Sequence, residues 1–270
     1  MNSRSRYWLN TAETQIGAGL VVLLVIGAVV FLSLPIFALI WYNIHLKAWQ
    51  FPIDSQIPAA LAFSLKTTSV SLFFILLFGT PLAYALARWH FSGKRIITIL
   101  IDLPIVLPPA VAGLGLLVAF GRRGMLGPTL DALGIQVVFT QAAVVIAQVF
   151  VASPFYIRAA QTGFQSIDLE IENAARIDGA NSRERFVYIV FPLARRSLLN
   201  GVVMSWARAL GEFGATVFFA GNLLGQHHTM TLLIYNIFEN DVSAAVGASL
   251  VLITVAICVI AVTRWLVRED

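Results

Sequence analysis

Six apolar runs, at about 17–42, 59–88, 96–120, 137–158, 198–220 and 243–264, constrain this chain more than any other feature. A helix needs about 20 apolar residues to cross about 30 Å of hydrocarbon, and each run reaches that length. Inside a bilayer every backbone N–H and C=O must find a partner within the protein, which continuous apolar runs achieve as helices. The expected fold is therefore all-α and integral to a membrane, with six transmembrane helices in a single domain over residues 1–270. Charge is scarce enough to agree: 12% of residues are Asp, Glu, Lys or Arg, against about 25% in soluble domains. The first run, Ile16 to Tyr42, exceeds a signal-peptide core and shows no obvious cleavage site, so it reads as a retained helix. Trp41, Tyr42, Trp89, Tyr156 and Trp265 stand at run edges, where interfacial aromatics sit.

Lysine and arginine set the orientation. With the N-terminus in the cytoplasm, the inner segments are 1–16, 89–95, 159–197 and 265–270. Helix ends included, they hold Arg4, Arg6, Arg88, Lys94, Arg95, Arg158, Arg176, Arg183, Arg185, Arg195, Arg196, Arg264 and Arg268. The outer segments hold only Lys47, Arg122 and Arg123. Thirteen against three places both termini inside, and the same bias accounts for the net charge of +4 without nucleic acid as a partner. The one cysteine, Cys258, lies in an apolar run, which excludes a disulfide framework or a cysteine metal cluster. His227 and His228 are consecutive and do not share a helix face, so no metal site is expected there.

Ten of the 32 charged residues fall between Asp168 and Arg196, inside the one long inner loop, 159–197. It reads as two short helices joined at a glycine. Asp168 caps the first, with Glu170 and Glu172 in its opening turns, where the helix dipole favours carboxylates. Gly179 ends it as a left-handed residue. Asn181 caps the second with Glu184 three positions on, the capping-box spacing, and Pro192 stops that helix near Phe191. Ile171, Ala174, Ala175 and Asp178 fall on one face of the first helix. Residue types alone leave two readings of that face open. One is a solvated hairpin lying on the headgroups. The other is a docking helix whose alanines admit a partner's groove while flanking charges fix the register.

The same stretch resembles the EAA motif of prokaryotic ABC importer permeases: Ala174 and Ala175, three residues, Gly179, nine residues, then Ile189, Val190, Phe191 and Pro192. Asn173 stands where the motif has Glu, with Glu172 one residue early, and Phe191 replaces Leu. GTPLAYALARWHFSGKRI (79–96), LPIVLPPAVAGLGLLVAFGRRGMLG (103–127) and RALGEFGATVFFAGN (208–222) resemble the molybdate permeases, to which sulfate/thiosulfate and tungstate permeases are related. The resemblance implies a type I ABC importer permease, multi-pass in a prokaryotic inner membrane, passing molybdate or a similar oxyanion and not itself an enzyme. It implies a second copy of the chain, an extracytoplasmic oxyanion-binding protein, and an ATP-binding subunit dimer that carries ATP and Mg. No cofactor is expected in this chain. The ATPase-coupling residues it implies are Glu172, Asn173, Ala174, Ala175, Arg176, Gly179, Ala180 and Pro192.

Polar residues inside the runs are the remaining candidates. Arg208 and Glu212 lie in the fifth run, where inserting each charge costs about 2.5–3.5 kcal/mol. Four residues apart they share a helix face, with Thr216 continuing that ridge. Ala207, Gly211 and Ala215 form a ridge of small residues beside it. The charges read either as a pair locking the bundle or as lining or gating the anion path, where the pairing keeps the cation from trapping a dianion. Pro104, Pro108 and Pro109 remove backbone donors from the third run, as a static kink or as a hinge. Ser64, Thr68 and Ser71 share a face of the second run and either offer hydroxyls to an oxyanion or bond back to their own helix. Lys66, near the outer end of that run, is expected to snorkel outward. A secondary transporter would need inverted repeats and several intramembrane carboxylates, but only Glu212 and Asp102 are available and no repeat is visible. An intramembrane enzyme would need a motif such as H-E-x-x-H or G-x-S-x-G, and neither occurs.

Overall fold

A computed structural model of the chain describes residues 3–45, 56–222 and 228–268, and within them the side chains from Gly19 to Thr263. Lys47 and His227 lie outside the described residues, as do the side chains of Arg4, Arg6, Arg264, Trp265 and Arg268. Every described element is helical: α1 Ser3–His45, α2 Gln56–Arg88, α3 Lys94–Val106, α4 Pro109–Phe120, α5 Gly127–Ala132, α6 Gln141–Gln165, α7 Leu169–Ile177, α8 Ser182–Arg185, α9 Phe191–Leu210, α10 Gly214–Phe219, α11 Met230–Phe238 and α12 Val242–Arg268. A π-helical turn, Phe186–Val190, joins α8 to α9. The segments Gly19–His45, Gln56–Arg88, Gln141–Gln165, Ser182–Leu210 and Val242–Thr263 are each long and apolar enough to cross a membrane, and α3 with α4 makes a sixth candidate bent by 119°.

The bundle is organised on α6. Its C-terminal half packs between α2 and α9 around Leu86, Ala152, Tyr156, Ala160, Phe164, Ala194 and Leu198. Its N-terminal half packs against α4 and α10 around Ala112, Leu116, Ala143, Ala147, Ala215 and Phe219. A third cluster joins the start of α2 to α11 and α12. Small residues bring these helices close, and polar side chains tie them where lipid offers no hydrophobic gradient. Ser71 donates to Gln148 Oε1 at 2.8 Å and Gln148 Nε2 donates to Thr67 at 3.3 Å, joining α2 to α6. α1 packs on α12 and, from Gly19 on, leaves most of its apolar side chains exposed.

Four boundaries differ from those read off the sequence. The third run is two helices: Pro104 stays inside α3, while the chain breaks at Leu107 and Pro108 and restarts with Pro109 in the first turn of α4. The fifth run ends as a helix at Leu210, because the Glu212 carboxylate accepts the Ala215 N–H and begins α10 anew. Thr216 therefore does not continue the Arg208–Glu212 ridge, and Ala207, Gly211 and Ala215 do not form one ridge. The long loop shrinks to 166–181, since α6 runs on to Gln165 with Gly163 and Phe164 buried, and helix resumes at Ser182.

Pro192 does not stop the second helix. Proline lacks an N–H and clashes with the carbonyl four residues back. The preceding turn widens to accept it, with Phe191 N–H bonded to Phe186 O five residues back instead of four. The helix then continues unbroken to Leu210.

Candidate functional site: a charged hairpin clamped to the bundle

The hairpin forms for local reasons. Asp168 accepts the Glu170 N–H at 2.9 Å and opens α7. At its other end Ala180 N–H bonds Ala175 O at 2.9 Å and Gly179 N–H bonds Arg176 O at 3.2 Å, the paired bonds of a Schellman turn. That turn needs a left-handed residue, and Gly179 has φ +93°. Asn181 accepts the N–H groups of Arg183 and Glu184, both at 3.0 Å, while Glu184 accepts the Asn181 N–H at 2.8 Å. Both caps expected from the sequence are present.

α7 has no buried residue. Ile171, Asn173, Ala174, Arg176 and Ile177 are exposed, and Ile177, at 85%, is the most exposed large apolar side chain of the described residues. Ala175, Ala180 and Glu172 are half-buried toward the bundle. Asp178 is the C-cap and lies off the helix, so it does not complete the face with Ile171, Ala174 and Ala175. Pro192 is exposed within the continuous rod beyond the hairpin.

Glu172 is directed into its own chain. Its carboxylate pairs with Arg88 in the last turn of α2, with side chains only 8% (Arg88) and 11% (Glu172) exposed. Tyr84 OH donates to the same carboxylate at 3.3 Å, and Arg88 also donates to Ile167 O at 3.1 Å. Phe164 and Phe186 meet the Tyr84 ring edge-on, with centroids at 5.5 and 5.3 Å, and shut water out of the cluster. A hydrogen-bonded pair gains strength in such a low local dielectric, and losing one partner of a buried pair costs about 3–5 kcal/mol. Sequence reasoning counted Arg88 only as one more inner cation and assigned nothing to Tyr84. Pairing across 84 positions (88 to 172) leaves no local signal, although a Tyr and an Arg four residues apart at the end of an apolar run were visible.

The intramembrane candidates gather at two helix breaks. Arg208 Nη1 lies 2.6 Å from Glu212 Oε2, and Glu212, 1% exposed, accepts the Ala215 N–H at 2.7 Å with its other oxygen. A Cβ on Gly214 would lie 2.6 Å from Pro109 Cβ, so the restart of α10 rests on the restart of α4. Thr216 is buried beside it. Irregular backbone at membrane depth is tolerated only where it is buried in protein or lines a cavity. Ser64 accepts the Met230 N–H at 2.7 Å, and Thr68 donates to Ser64 O at 2.8 Å, so both hydroxyls are engaged within the chain. Asp102 takes Arg158 Nε at 2.7 Å on one oxygen and Arg158 Nη2 on the other, which ties α3 to α6.

Residues 75–269 match the family described as binding-protein-dependent transport system inner membrane component. A molybdenum transport system permease protein of Mycobacterium tuberculosis is 37% identical over 235 residues, covering 87% of this chain and 89% of that protein. A probable sulfate transport system permease protein of Helicosporidium sp. subsp. Simulium jonesii is 34% identical over 238 residues, covering 86% and 88%. Among solved structures, a chain of the bacterial alginate ABC transporter in complex with its alginate-bound periplasmic protein shares the fold, with a TM-score of 0.74 over 98% of both chains at 16% identity. This chain belongs to the family of inner membrane components of binding-protein-dependent transport systems.

Proposed function

We propose that the chain is one half of the translocation path of an ATP-driven importer for molybdate or a similar oxyanion. The observation that carries the reading is α7, a helix with no buried residue that is fixed at both ends and presents Ile171, Ala174 and Ile177 outward. A membrane protein gains nothing by holding so rigid an apolar face in water unless a soluble partner covers it. That partner is an ATP-binding subunit, which carries ATP and Mg, and the hairpin side is the cytoplasmic side, as the excess of Lys and Arg there favours. Asn173, Ala174, Arg176, Gly179 and Ala180 shape the docking surface, with Glu172 held behind it.

Two copies related by a twofold axis place the path between them, since the spans of one chain are few for a pore. Arg208, part-exposed, borders that path at the α9–α10 break, while Glu212 and Thr216, buried behind it, set the geometry of the gate, with Pro104, Pro108 and Pro109 as the hinge of the α3–α4 break. Ser64 and Thr68 support it from α2. An extracytoplasmic binding protein delivers the oxyanion on the opposite face. Molybdate is preferred because the molybdenum permease of M. tuberculosis is the more similar of the two relatives by identity, 37% against 34%.

Reconstitution tests this. Liposomes containing the chain with its ATP-binding subunit and binding protein are expected to accumulate molybdate only when ATP is supplied. Uptake by the chain alone would overturn the reading.

A further inference from the structure

The clamp on the hairpin continues through the bundle. α7 is tied to the transmembrane helices through Glu172, gripped by Arg88 and Tyr84. Arg88 also holds Ile167 O, so one guanidinium fixes both α7 and the chain that enters it. Arg88 ends α2, a continuous helix of 33 residues that carries Pro81 two turns before its end. Ser64 stands 24 residues earlier on the same helix (88 minus 64), about 36 Å away at 1.5 Å per residue, and accepts the Met230 N–H at the start of α11. The next residue, Thr231, donates its hydroxyl to Glu212 O at 2.8 Å. Glu212 in turn holds Arg208 and the first turn of α10. From hairpin to helix break, each link is a direct hydrogen bond, an ion pair or continuous helix.

We propose that Arg88 and Tyr84 are positioning residues that make α2 the lever between the hairpin and the Arg208–Glu212 break. The inference rests on the docking role of the hairpin proposed above. A helix clamped at its end carries a displacement along its axis, whereas a hairpin joined by chain alone swings on its turns at 166–168 and 178–181. The clamp converts movement of α7 into movement of α2, and the Ser64–Met230 and Thr231–Glu212 bonds deliver it where the path is gated.

The test uses the full complex of two permease copies and two ATP-binding subunits in liposomes, with binding protein and molybdate. Arg88→Gln and Glu172→Gln are expected to keep the ATP-binding subunit bound and hydrolysing ATP while uptake per ATP falls about tenfold. Tyr84→Phe, which removes a hydroxyl without stranding a charge, is expected to lower it less. Ser64→Ala, at the far end of the helix, is expected to uncouple in the same way, and combining it with Glu172→Gln to add little further loss. Unchanged uptake per ATP in Glu172→Gln, or losses that multiply in the double variant, would overturn the lever. So would loss of the ATP-binding subunit in step with uptake, which marks a clamp that merely keeps the hairpin folded. Failure of the wild-type chain to bind the subunit would refute the docking role itself. If the wild-type complex hydrolyses ATP without passing molybdate, only the substrate assignment fails. The lever is then read from spin labels replacing Phe218, an exposed residue of α10, in the two copies, whose ATP-dependent change in distance both Glu172→Gln and Ser64→Ala are expected to diminish and an unaffected change would contradict.

Discussion

Gly179 and Glu212 show how single residues decide the geometry of this chain. A side chain at φ +93° is strained by about 1–2 kcal/mol, and the strain falls on the turn that aims α7. Gly179→Ala is expected to lower the ratio of ATP-binding subunit to permease recovered from detergent, with Gly179→Asn milder because asparagine tolerates the left-handed region. Equal recovery of all three would remove Gly179 from the docking account. Glu212 answers two demands at once, neutralising Arg208 and capping α10. Glu212→Gln keeps an acceptor for the cap and strands a charge. Thermal unfolding in detergent is expected to move down, and Arg208→Gln added to it to recover part of the loss. A double variant no better than the single would show that the two charges do not answer each other. The capping residues were legible in the sequence because a cap is a local pattern of three or four positions. The Glu172–Arg88–Tyr84 cluster was not, because its partners meet only after α2, α6 and the π turn have packed.

Among the elements, the prolines separate what sequence shows from what packing decides. Pro108 and Pro109 break the third run, as missing donors require. Pro192 obeys the same chemistry with the opposite outcome, because the π turn at Phe186–Val190 absorbs it and the rod runs on. Pro192→Ala is therefore expected to change stability by less than about 1 kcal/mol, as at a helix start where proline's missing N–H is not needed. A loss of several kcal/mol in the same unfolding assay would mean that the proline holds the turn in shape. The fifth run was read as one helix because hydropathy does not register a break that a carboxylate caps from within. The flanking glycines of Gly211-Glu212-Phe213-Gly214 were the signal available.

For the whole molecule, six apolar runs were enough to define an all-helical membrane domain, since lipid leaves the backbone few alternatives. They were not enough to define how the helices cooperate. That depends on contacts between distant segments: α2 with α6 through Gln148, α3 with α6 through Asp102 and Arg158, and α2 with α11 through Ser64. The apolar side chains of α1 from Gly19 on and the outer face of α7 are both exposed in the single chain, and the proposed function assigns the second to a soluble subunit.

The measurement that reaches this most directly places a photoreactive side chain at Ile177 in the membrane-embedded complex, with Phe73, an exposed residue inside the α2 span, as control. Illumination is expected to join position 177 to the ATP-binding subunit and position 73 to lipid or another membrane chain. Capture of lipid at position 177, with the ATP-binding subunit present and hydrolysing ATP, would contradict the account.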